Sequence, residues 1–109
     1  MPQEPTSPRE AILHAAISLT VGDRDKQYGP PYRNLSDCAR LFTAYIVGKF
    51  AGTTLDESTF YLTAEDIAWL NVLQKIARTY WREPKSDTYE DAAAYAAIAF
   101  ECATRQEPL

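Results

Sequence analysis

A chain of 109 residues, 46% hydrophobic and 24% charged, has the composition of a globular protein with room for one domain around one core. A chain of this length buries only about 60–70% of its unfolded surface, which leaves a helical monomer marginal and points to a homo-oligomer. The formal charge of −4 excludes a general binder of nucleic-acid backbones, which needs an evident basic face, but not a binder of small anions.

Single-residue counts exclude more. His14 is the sole histidine, so one chain cannot build a multi-histidine metal site. Cys38 and Cys102 lack metal-type spacing and read as reduced thiols packed within apolar helices. No apolar run approaches the ~20 residues that span a bilayer. The opening Met1-Pro2-Gln3-Glu4-Pro5 has neither the basic region nor the apolar core of a secretory signal, so the expectation is a cytoplasmic protein without membrane contact.

Four helices are predicted in chain order, over about 8–21, 31–50, 64–81 and 88–104, in a single domain spanning 1–109 with its ordered core at about 7–104. The first opens on Ser7-Pro8-Arg9-Glu10, a cap, a proline at the first helical position and the acid of a capping box. Ile12, Leu13, Ala16, Ile17 and Leu19 share one arc, and Gly22 stops the helix. The second carries Leu35, Cys38, Ala39, Phe42, Tyr45 and Ile46 as its apolar stripe, with Gly52 just past its end. The third opens at Thr63, with Glu65 and Asp66 in the first turn, and sets Trp69, Leu70, Val72, Leu73, Ile76, Ala77 and Tyr80 on one apolar face. The fourth is rich in alanine, which suits close helix packing. Alternating strand patterns are lacking, so the fold class is all-α, bundle-like.

Polar residues that break this pattern are the candidates for function. Asn71, Gln74, Lys75 and Arg78 fall opposite the apolar arc of the third helix. They make either a solvated face or the lining of a cleft in which Lys75 and Arg78 hold one anion between them. Asp66 lies at the edge of the apolar arc, where it serves either the helix N-terminus or a site. Asp91 lines up with Tyr95, Ile98 and Cys102, and a carboxylate on such a packing face needs a cation or a metal. Lys75 or Arg78 is the natural partner, in a structural ion pair or in a binding site. The segment Gly22–Pro31 places four charges and Tyr28 before a rigid Gly-Pro-Pro turn, a way in which binding residues are often presented.

Three stretches in order, GDRDKQYGPPYRN, LTAEDIAWLNVLQKIAR and SDTYEDAAAYAAIAFE, resemble a family of small proteins of unknown function common in bacteriophages and prophages. The resemblance covers about residues 10–103. It places Arg24, Tyr28, Gly29, Asn34, Asp66, Lys75, Arg78, Asp87, Asp91 and Tyr95 at the family's recurring positions. The family is distantly similar to the phage domain associated with nucleotide modification and to MazG-like all-α nucleoside triphosphate pyrophosphohydrolases. Those enzymes hold Mg²⁺ on E-E-x-x-E and E-x-x-D helices. Here the second helix carries Ser36, Asp37 and Arg40 instead, and only the closing helix, with Asp87 and Asp91 one turn apart, is similar to the second motif.

The resemblance implies a helical oligomer in the host-cell cytoplasm that binds a nucleotide or nucleotide-derived small molecule. Arg24, Lys75 and Arg78 would neutralise phosphate, Tyr28 or Tyr95 would stack on a base, and Asn34 would hydrogen-bond it. An enzyme of this kind would hold Mg²⁺ on Asp66, Asp87 and Asp91 and polarise a phosphoanhydride for attack by water. Two other readings stand beside it: an accessory protein that docks on a host protein or sequesters a signalling nucleotide, and a structural or assembly oligomer.

Overall fold

The computed structural model of the protein describes residues 7–21, 30–80 and 83–105. Four helices follow in order: α1 (Pro8–Thr20), α2 (Pro31–Lys49), α3 (Ala64–Arg78) and α4 (Ser86–Arg105). No strand occurs among the described residues.

The starts of the helices follow the local chemistry of the chain. The Ser7 hydroxyl accepts the Glu10 N–H at 3.2 Å, and Pro8 opens α1. At α3 the capping box is complete. The Thr63 hydroxyl accepts the Asp66 N–H at 3.2 Å while the Asp66 carboxylate accepts the Thr63 N–H at 2.8 Å. Gly52, beyond the end of α2, takes φ +89°, a conformation that costs a residue with a Cβ. α3 ends at Arg78, three residues short of the expected boundary, and α4 begins at Ser86.

α3 lies against α4, with α2 across both, and the core sits between these three. It is built from Leu35 and Ala39 of α2, Ala64, Ile67 and Ala68 of α3, and Ala99 and Cys102 of α4. Alanines at these crossings let the helix axes approach closely. The Arg105 guanidinium stacks 5.3 Å from the Tyr32 ring centre, joining the end of α4 to the start of α2. Thr43 is buried on α2, donates to the Ala39 carbonyl at 2.7 Å and accepts the Leu62 N–H at 2.9 Å. That hydroxyl pins the connection before α3 onto α2.

Two expectations are corrected. The four helices and the all-α class stand, but α1 meets only α4 among the described residues, so the bundle-like expectation becomes a three-helix unit with α1 laid on one side. The faces of α3 are also reversed. Its inner arc carries Ala64, Ile67 and Ala68 with half-buried Asn71 and Lys75, whereas Trp69, Leu70, Leu73, Ile76 and Tyr80 are exposed. The helical wheel sorts residues into arcs but does not say which arc meets a neighbour. Here the small residues and the cation that pairs with α4 take the inner side. The same holds in part for α1, where Ala16 is buried while Leu13 and Ile17 face outward, and for α2, where Phe42 and Tyr45 are exposed.

Candidate functional site

The candidate cation Lys75 turns inward. Its Nζ stands 3.1 Å from the Asp91 Oδ2 across the α3–α4 seam, with the lysine side chain 12% exposed and the aspartate 34%. The expected pairing of Asp91 with a cation of α3 is therefore present, with Lys75 as the partner. One turn back, Asn71 donates to the Ile67 carbonyl at 3.0 Å, so the inner polar arc of α3 is satisfied locally.

The carboxylates expected to converge on a metal stand apart. Asp66 closes the capping box at the start of α3, and Asp91 meets Lys75. Asp87 lines, with Arg78, the groove at the far end of α3. At about 1.5 Å of rise per residue, the length of α3 from Asp66 to Arg78 separates the first from the last by roughly 18 Å. Among the described residues, no three His, Cys, Asp or Glu side chains come together as a metal-binding group.

Where the end of α3 turns into the start of α4, the two helices enclose a groove of about 450 Å³. Arg78 and Thr79 enter it from α3, Glu83 and Lys85 from the turn, and Asp87, Thr88 and Tyr89 from the first turn of α4. The volume falls within the few hundred to about 1,000 Å³ of small-molecule sites. Among the described residues, no ion pair within 4.0 Å ties Arg78, Glu83, Lys85 or Asp87. The groove thus presents two cations, two carboxylates, two threonines and a half-exposed aromatic ring beside the positive end of the α4 dipole.

Of the described residues expected to bind a ligand, Arg78 alone lines this groove, and Asp87 alone of the expected metal ligands. Lys75 is committed to Asp91, and Tyr95 is half-buried further along α4. Asn34 is exposed on α2, away from the groove. Arg24 and Tyr28 lie outside the described residues, as does Gly29. Sequence reasoning missed Lys85, Thr88 and Tyr89. The available signal was a cation placed just before a helix start, two residues ahead of Asp87.

The thiols behave as ordinary core groups. Both cysteines are free, and burial, seconded by the Glu101 carboxylate, pushes the Cys102 thiol up and keeps it protonated at neutral pH.

Residues 11–103 match the family model described as "Domain of unknown function (DUF6378)". The chain belongs to this family. It is also similar to the "Gene 55 protein" of Mycobacterium phage D29, at 34% identity over 87 residues, covering 80% of the chain and 50% of that protein. The chain thus spans about half the length of this phage relative. The expected kinship with small phage proteins of unknown function holds at that level. No solved structure matches the chain. None of the described helices is long and apolar enough to cross a membrane.

Proposed function

We propose that this member of the family binds a nucleotide or related phosphorylated small molecule in the groove between the end of α3 and the start of α4. The observation that carries the reading is that Arg78 and Lys85 line a groove of ligand size without being paired to any described carboxylate. Arg78 can grip two phosphate oxygens with its planar fork, and Lys85 adds a point charge. The first turn of α4 adds the positive end of its dipole, and Tyr89 offers a face for a base. Thr88 supplies a hydroxyl for sugar or phosphate oxygens, whereas the Thr79 hydroxyl donates to the Ile76 carbonyl at 2.7 Å and is left as an acceptor for a sugar hydroxyl.

Binding is the form that this geometry favours over hydrolysis. Glu83 and Asp87 are the two carboxylates at the groove, whereas Asp66 and Asp91 are engaged elsewhere. A Mg²⁺ ion would enter with the phosphates of the ligand, completing its shell with water and Asp87.

A thermal-shift titration with ATP and with inorganic phosphate, each with and without Mg²⁺, tests the reading. A ligand at one hundred times its Kd adds about 2.7 kcal/mol to the folded state, a rise of roughly 10 °C or more for a domain this small. Arg78→Ala and Lys85→Ala should each remove most of that rise while leaving the melting point of the free protein within a degree or two. A rise that survives both substitutions would place the ligand elsewhere, and no rise with any of the probes would overturn the reading. A second reading, an accessory protein that docks on another protein, draws support from Leu41, Phe42 and Tyr45, which stand exposed on α2.

A further inference from the structure

The reversed face of α3 needs a cover. Trp69, Leu73 and Ile76, at spacings of four and three, fall in a single stripe along α3, and Tyr80, four residues on, extends it in the turn beyond Arg78. They are exposed by 44%, 56%, 44% and 75%. A 4-3-4 spacing is the seam that one helix presents to another of the same pitch. Leu70 and Ala77 flank it on one side and Val72 on the other, so no charge interrupts the stripe from Trp69 to Tyr80. The Trp69 indole N–H already donates to the Glu65 carboxylate at 3.0 Å, so covering the ring strands no donor.

We infer that this stripe is the interface on which a second copy of the chain docks, α3 against α3 and antiparallel. Self-pairing is complementary in that orientation. Trp69 stands opposite the second copy's Tyr80, and Leu73 opposite its Ile76, with aliphatic side chains at the centre and aromatic rings at both ends. A chain of charge −4 meets its like most cheaply where it carries no charge, and this stripe is such a place. Charge also selects the direction. Glu65 and Asp66 straddle the stripe at the first turn of α3. Parallel pairing would crowd four carboxylates at one end, whereas antiparallel pairing sends them to opposite ends and opposes the helix dipoles.

The area suffices. The exposed parts of Trp69, Leu70, Leu73, Ile76 and Tyr80 amount to on the order of 500 Å² per copy. Two copies therefore reach the roughly 1,000 Å² at which specific interfaces begin. This inference does not rest on ligand binding, although the two surfaces adjoin at Ala77, which flanks the stripe and lines the groove.

Sedimentation equilibrium on the full chain, from micromolar to a few hundred micromolar, tests it. The wild type should sediment at twice the 12.3 kDa chain mass at the upper end. Leu73→Glu should sediment at the single-chain mass with unchanged helical circular dichroism, because Leu73 is exposed in the single chain. Leu41→Glu, which puts the same charge on the outer face of α2, should associate like the wild type. Glu65→Gln keeps an acceptor for Trp69 and should leave the dimer Kd within about twofold. A monomer throughout would overturn the proposal, and so would a Leu73→Glu protein that still pairs or a Leu41→Glu protein that does not. Tightening by Glu65→Gln well beyond twofold would mean that carboxylates crowd together in the dimer, and would overturn the antiparallel arrangement.

Discussion

Lys75 and Asp91 show what one polar pair decides. A cation 12% exposed has given up most of its hydration and depends on the carboxylate 3.1 Å away. Removing one partner of a fully buried pair costs about 3–5 kcal/mol, but Asp91 keeps a third of its surface in water and the stranded lysine can swing outward. Asp91→Ala should therefore cost about 1–3 kcal/mol by urea denaturation, and Asp91→Asn less, since its amide oxygen still accepts from Nζ. Lys75→Met combined with Asp91→Leu should recover most of the loss, because an apolar pair of similar size strands no charge. A loss under 0.5 kcal/mol for Asp91→Ala would show that the pair does not hold α3 to α4.

At the scale of elements, the starts of α1 and α3 hold themselves through their caps, whereas the connection into α3 is held from outside. The Thr63–Asp66 box closes within four residues, so α3 begins where the local chemistry says it should. The approach to that box depends on Thr43, nineteen residues upstream of the Leu62 amide that it accepts. Thr43→Val keeps the shape and deletes the acceptor, leaving a part-buried N–H without its partner, at a cost of about 1–3 kcal/mol. Thr43→Ser, which retains the oxygen, should recover at least half of that loss in the same denaturation measurement. Equal losses for both substitutions would assign the effect to packing of the methyl group rather than to the hydrogen bond.

At the scale of the whole molecule, stability is unevenly spread. No large side chain is fully buried among the described residues, and the core is a seam of alanines around Leu35, Ile67 and Cys102. Among the described residues α1 leans on α4 alone, so it can lift away without opening that seam. Native-state hydrogen exchange should find the central amides of α1 exchanging about ten- to a hundredfold faster than those of α3 and α4. Equal protection across all four helices would mean that α1 belongs to the same cooperative unit.

Local chemistry was legible in the residues themselves. The four helices, the caps at Ser7 and Thr63, the turn at Gly52 and the need of Asp91 for a cation each depend on side chains within a turn or two, or on the cost of burying one charge. Arg78 also stood out in the polar arc of α3 and Asp87 at a recurring position of the family, and both line the groove. The faces of α3 were not legible. Periodicity divides a helix into a polar and an apolar arc, and a single chain ordinarily buries the apolar one. Only the packing of α3 on α4 shows the reverse, because Ala64 and Ala68 permit a close approach that Trp69 and Leu73 would block, and because Lys75 finds Asp91 on that side. Lys85, Thr88 and Tyr89 were invisible for a related reason. This groove exists only because the end of α3 and the start of α4 come together, and that meeting is a property of the packed chain rather than of any segment within it.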